Sequence, residues 1–152
     1  MGMAIDKSTV RHLDLNRYMG KWYEIARFDH RFERNMEWVT ADYTLLPDGK
    51  IAVENRGWRK GKWHTAKGKA KLPDPEEPGK LKVAFFLSLY SDYYVLELDE
   101  IDYTYAMIGS SSDKYLWILS RTPKVPADTL TMLLTKACTR GYDTNKILFV
   151  KQ

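Results

Sequence analysis

The side chains able to do chemistry are few and scattered. The three histidines, His12, His30 and His64, fall in separate segments at no metal-ligand spacing, and the one cysteine, Cys138, can complete neither a zinc set nor a disulfide. The chain has no nucleophile elbow, phosphate-binding loop or dinucleotide fingerprint. "PDPEEPG", residues 73–79, reads as an acidic turn rather than two catalytic carboxylates. Glu24 is the exception, because it lies inside the apolar run "GKWYEIARF", residues 20–28, where a buried carboxylate needs a partner. Glu97 is a second such case. For both, a hydrogen bond or ion pair is the expected role. No residue pattern calls for a metal or cofactor, and the chain reads as a non-enzyme.

A different chemistry is concentrated in "RGWRKGKWHTAKGKAK", residues 56–71. Arg56, Arg59, Lys60, Lys62, Lys67, Lys69 and Lys71 occur there without one acidic residue, and Trp58 and Trp63 flank its turn. Cations beside indoles suit anionic lipid headgroups at a membrane interface. The plainer alternative is a solvated hairpin whose lysines guard its edges. The whole chain carries a net charge of only +4, so nucleic acid is not expected as a partner.

These residues must be held by strands. The 152 residues suit one domain, and aromatics reach 13%, which favours pleated sheet or a binding cavity. Strand-length runs occupy 21–28, 38–46, 50–58, 62–71, 80–87, 93–99, 103–109 and 114–120, mostly separated by hairpin-length turns such as "PDG" at 47–49. Eight strands at such spacing predict an antiparallel meander closed into a barrel or packed as a sandwich. Residues 128–139 break the rhythm. Leu130, Leu133, Leu134, Ala137 and Cys138 recur at helical spacing, with Asp128 as N-cap and Gly141 as stop. Cys138 is expected to be a buried thiol. A short ninth strand, 146–150, follows. No run of 18 apolar residues occurs.

This order resembles the lipocalin family, and three motifs carry the resemblance. Gly20-Lys21-Trp22 is similar to the family's G-x-W at the first strand, Asp102-Tyr103 to its second motif, and Arg121 in "ILSRTP" to the arginine after the eighth strand. The resemblance runs from about Leu13 to Val150 and is nearest the bacterial lipocalin and apolipoprotein-D-like branch. It implies an all-β fold: an eight-stranded antiparallel up-and-down barrel, the lipocalin calyx, with one C-terminal helix packed outside and a short ninth strand. Residues 1–152 would form a single domain, with 1–12 a flexible N-terminal segment. In such a barrel Gly20 gives the chain room at the closed end. Trp22 plugs that end, and Arg121 lies across the indole while donating to backbone carbonyls.

With Trp22 and Arg121 pointing inward, alternation along the strands turns Tyr115, Trp117 and Leu119 inward and Leu116 and Ile118 outward. The same parity and the family analogy give a ligand-binding lining of Val39, Ala41, Tyr43, Val53, Asn55, Ala66, Val83, Phe85, Tyr93, Val95, Tyr115 and Trp117. The loops at 29–37, 58–62, 87–92 and 109–114 then surround the mouth. "DHRFERNMEW", residues 29–38, is long enough for a lid, with Phe32 and Met36 over the cavity and Arg31, Glu33 and Arg34 in water. Leu87, Leu89 and Tyr90 place apolar surface in another mouth loop, exposed or packed inside the rim.

The expected function is storage or transport of a small hydrophobic or amphiphilic ligand, a fatty acid, lysophospholipid or similar lipid, with peripheral contact to a membrane surface. A lipocalin-like enzyme and a protein-interaction module are the alternatives, and both monomer and dimer stay open. The N-terminal residues show neither a signal-peptide core nor a lipid-attachment cysteine, and Asp6 breaks the myristoylation pattern. The expected location is the bacterial envelope, periplasm or outer membrane, if a leader was removed, and the cytoplasm otherwise.

Overall fold

The computed structural model describes residues 4–85 and 89–152. Among the described residues nine strands form one sheet: β1 (Gly20–Phe28), β2 (Glu37–Leu45), β3 (Ile51–Arg59), β4 (Lys62–Lys71), β5 (Lys80–Phe85), β6 (Ser91–Leu98), β7 (Tyr105–Gly109), β8 (Leu116–Ser120) and β9 (Ile147–Phe149). All pairings are antiparallel, and β1 closes the barrel by pairing with both β8 and β2. The outer strand β9 adds to the end of β1. Helix α2 (Ala127–Arg140) packs outside, and a one-turn helix α1 (Leu15–Tyr18) crosses below β1. Strand 80–87 is seen as far as Phe85, and Leu87 lies outside the described residues.

Strand alternation separates two cores. Trp22, Tyr43, Val53, Val95, Ile108 and Leu119 point into the barrel. Ile25, Leu96, Met107, Leu116 and Ile118 point outward onto Leu133 and Ala137 of α2. This explains why "YLWIL" is apolar on both faces.

The closed end is built around Arg121. Its guanidinium carbon lies 3.8 Å from the centre of the Trp22 ring. Its nitrogens donate to the carbonyls of Tyr103, Lys21 and Arg17 at 3.1, 3.0 and 2.6 Å. Trp22 Nε1 donates to the Tyr18 carbonyl at 2.9 Å, so α1, which the strand pattern did not predict, serves as the floor. Gly20 is required by its backbone, with φ of +96°, rather than by crowding: a Cβ there would meet Arg121 only at an ordinary 3.4 Å.

The second motif divides unevenly. Tyr103 is buried, its hydroxyl accepts from the Asp14 amide, and Arg17 stacks on its ring. Asp102 is exposed, and Asp99 makes the turn instead, accepting from the amides of Ile101, Asp102 and Thr104.

Three expectations are corrected. Pro126 occupies the α2 N-cap without a side-chain bond, and Asp128 lies in the first turn. Gly141 ends the helix in the left-handed conformation, as expected. Cys138 is exposed, because the buried face of α2 is centred on Leu133 and Ala137. Glu97 faces α2, where Arg140 approaches to 2.8 Å and Lys136 to 3.3 Å. A register shift between Val95 and Glu97 places Leu96 and Glu97 on the same outer side.

Candidate ligand cavity

The barrel encloses a cavity of about 660 Å³, within the range of small-molecule sites. Eleven of the twelve residues expected to line it do so, from Val39 on β2 to Trp117 on β8. Val95 points into the barrel but is fully buried below the cavity, packed in the interior core. Aliphatic and aromatic groups dominate the wall, and Ala41, Ala66 and Gly57 give it breadth. At the closed end the hydroxyls of Tyr18, Tyr43 and Tyr93 meet.

Higher up, the lid turns inward through a buried polar cluster. Glu24 and Arg27 are both buried, and Arg27 Nη1 donates to Glu24 Oε2 at 3.0 Å. Arg27 Nη2 also donates to the Glu33 carbonyl at 2.7 Å, tying the lid to β1. Glu33 is not in water as expected. Its Oε1 accepts from His30 Nε2 at 2.6 Å and from Trp117 Nε1 at 2.9 Å. Phe32 borders the cavity but stays 65% exposed, so Met36 is the apolar lid residue that turns in.

The Glu24 and Glu33 carboxyls perturb each other inside this cluster. One guanidinium, shared with Asp29 and two carbonyls, cannot neutralise both. Burial and the neighbouring Glu33 charge push the Glu24 carboxyl well above its ordinary value. Burial opposes ionisation of Glu33 too, but donors from His30, Glu24 and Trp117 prevail and pull it down to about 2. Protonation is therefore favoured at Glu24 and ionisation at Glu33.

Beside the mouth, a basic groove of about 540 Å³ is lined by Arg34, Asn35, Arg59, Lys60, Lys62 and His64. Arg59 and His64 also border the cavity, so groove and cavity adjoin at these two side chains. Trp38, Trp58 and Trp63 cluster near the same hairpin, with ring centres 5.3–6.2 Å apart. Arg56 stacks on Trp63 at 4.2 Å, and Trp63 and Leu89 are exposed.

Alternation alone did not find His30, Glu33 or His64 at the cavity, nor Arg27 against Glu24. Glu24 and Arg27 lie three positions apart in one strand, so regular alternation puts them on opposite faces. The sequence signal was two charges three positions apart inside an apolar run; both can face inward only where the strand carries an irregularity between them, as it does here. No group of His, Cys, Asp or Glu among the described residues could hold a metal ion.

Comparison with known proteins bears on this geometry. The profile of the family described as the lipocalin-like domain matches residues 13–152. The outer membrane lipoprotein Blc of Vibrio cholerae serotype O1 is 44% identical over 154 residues, covering 100% of this chain and 90% of its own. Mouse apolipoprotein D is 32% identical, covering 100% of this chain and 84% of its own. Among solved structures, insecticyanin from the tobacco hornworm Manduca sexta superposes with a TM-score of 0.81 at 22% identity, over 99% of this chain and 87% of that one.

Proposed function

Since the chain belongs to the lipocalin-like family, in its bacterial lipocalin and apolipoprotein-D-like branch, we propose that it stores or carries a single-chain amphiphile, a fatty acid or lysophospholipid, without chemical change. The observation that carries this reading is the adjacency of an apolar cavity and a basic groove, which share Arg59 and His64 in their walls. An acyl chain in the cavity gains about 0.8 kcal/mol for each CH₂ removed from water. The carboxylate or phosphate stays at the mouth, where cations meet it and water still solvates it.

The same groove, with exposed Trp63 and Leu89 beside it, supports loading from an anionic membrane surface. A cell-envelope location fits this use, and the Vibrio cholerae relative is named as an outer membrane lipoprotein. A second reading, an enzyme, is favoured by one observation: His30, Glu33 and Glu24 border the cavity. Both carboxylates and the imidazole are committed to one another and to the lid, which supports a latch instead.

Native mass spectrometry of the protein purified without detergent tests the proposal. A co-purifying amphiphile, recovered unaltered after incubation, supports a carrier. A chain that takes up no fatty acid or lysophospholipid on titration overturns it.

A further inference from the structure

Three phenols from three elements meet at the closed end of the cavity. Tyr93 Oη of β6 lies 2.7 Å from Tyr18 Oη of α1 and 2.9 Å from Tyr43 Oη of β2. The rings hold one another in place: Tyr18 stacks on Tyr43 at 5.7 Å, and Tyr43 meets Tyr93 edge-on at 6.1 Å. All three border the cavity.

A donor count leaves one proton of this triad over. Each phenol has one proton to give and two lone pairs. Three protons serve two oxygen–oxygen contacts. Whichever way the bonds run, one O–H remains, and no other described residue accepts from the triad. Burial pushes the Tyr43 phenol up to about 12 and raises Tyr18 and Tyr93 as well, so all three remain protonated donors. The nearby guanidinium of Arg121 is already engaged by three carbonyls and the Trp22 face.

We infer that the Tyr18–Tyr43–Tyr93 triad is a subsite for a neutral oxygen, a hydroxyl or carbonyl, carried at the end of the ligand that enters first. This rests on the carrier reading above, which keeps the charged head at the mouth. A carboxylate does not fit the subsite, because one spare donor and no free cation cannot replace its hydration. A plain methyl terminus fits by shape but leaves the phenol proton unpaired in an apolar site. The preferred ligand is therefore polar at both ends, an acyl chain oxygenated at or near its ω carbon.

The test compares ω-hydroxypalmitate with heptadecanoate, which has a methyl where the first has a hydroxyl. Dissociation constants are measured for the wild type and for Y18F/Y43F/Y93F, which keeps every ring. The hydroxyl's own desolvation cancels when the two affinity ratios are divided. Removing the triad is expected to shift the ratio against ω-hydroxypalmitate by about 5- to 10-fold while heptadecanoate still binds. An unchanged ratio overturns the subsite and leaves the carrier reading intact. Failure of the wild type to bind either acid overturns the carrier reading, and the subsite with it. If the triple variant does not fold, the carbonyl stretch of (ω−1)-oxopalmitate bound to the wild type decides. A hydrogen-bonded frequency supports the subsite, and a hydrocarbon-like one overturns it.

Discussion

Glu24 and Arg27 lie three positions apart on one strand, yet their side chains meet inside the barrel at 3.0 Å. Regular pleating sends such a pair to opposite faces. The register of β1 against β8 shifts between Glu24 and Ala26, so Ile25 and Ala26 both face α2 and Arg27 turns in again. The irregularity frees two carbonyls, which the C-terminal residues satisfy: Val150 N donates to Ile25 O at 2.9 Å and Gln152 Nε2 to Glu24 O at 2.7 Å. A local change in strand register thus lets β1 hold the lid.

The carboxylate pair has opposite linkage at its two members. Glu33 is lowered from 4.5 to about 2, so its contribution is complete above 4.5 and fades as pH falls toward 2. Glu24 is raised, so its effect has the reverse sign: folding holds a proton that the unfolded chain releases above 4.5, and stability declines as pH rises from there. Glu24→Gln, which imitates the protonated form, should stay within about 1 kcal/mol of wild type at pH 7 and flatten that decline. Glu33→Gln should cost about 2–4 kcal/mol at pH 7, a penalty that disappears toward pH 2. Urea unfolding across pH measures both.

At the closed end, Trp22→Ala should cost about 3–5 kcal/mol by emptying the barrel floor. Arg121→Lys keeps the charge but cannot reach three carbonyls at once, so it should recover little of the loss caused by Arg121→Ala. Chemical denaturation of the four proteins tests this. Equal stability of Arg121→Lys and wild type would show that charge alone matters there.

The barrel, its strand count and its closed-end plug were legible because period-two alternation and short turns leave few topologies open. Leu116 and Ile118 were assigned to the helix side and Trp117 and Leu119 to the cavity from parity alone, and they lie there. Parity failed where the register shifts. Glu97 was placed inside but faces Arg140, and Arg27 was missed. Helix α1 is a single turn, too short for periodicity to register, and its N-cap Asp14 was the remaining signal. Contacts between distant segments, such as Glu33 with Trp117, leave no mark in local sequence.

Trp117 borders the cavity and donates to Glu33, so its emission should report an entering acyl chain. Titration with a fluorescent fatty acid should quench tryptophan emission, and Trp117→Phe should abolish most of that quenching. Full quenching in the variant would place the acyl chain elsewhere.

The basic groove gives a salt-dependent prediction. Reversing Arg59, Lys60 and Lys62 to Glu should weaken co-sedimentation with anionic vesicles steeply at low salt, since each cation near such a surface contributes about 1 kcal/mol. High salt should erase the difference. Wild-type protein that ignores anionic vesicles even at low salt would reduce the hairpin to a solvated edge.

The central claim, that the acyl chain occupies the barrel interior, is tested most directly by filling it. Ala41 and Ala66 border the cavity from adjoining parts of the wall, where a large side chain projects into open space. Calorimetric titration of palmitate into wild-type protein and into Ala41→Trp and Ala66→Trp is the measurement. The account predicts one palmitate per wild-type chain, and variants that keep their unfolding midpoint but bind at least about 10-fold more weakly, the loss of two CH₂ contacts or more. Undiminished palmitate binding by both folded variants would contradict it.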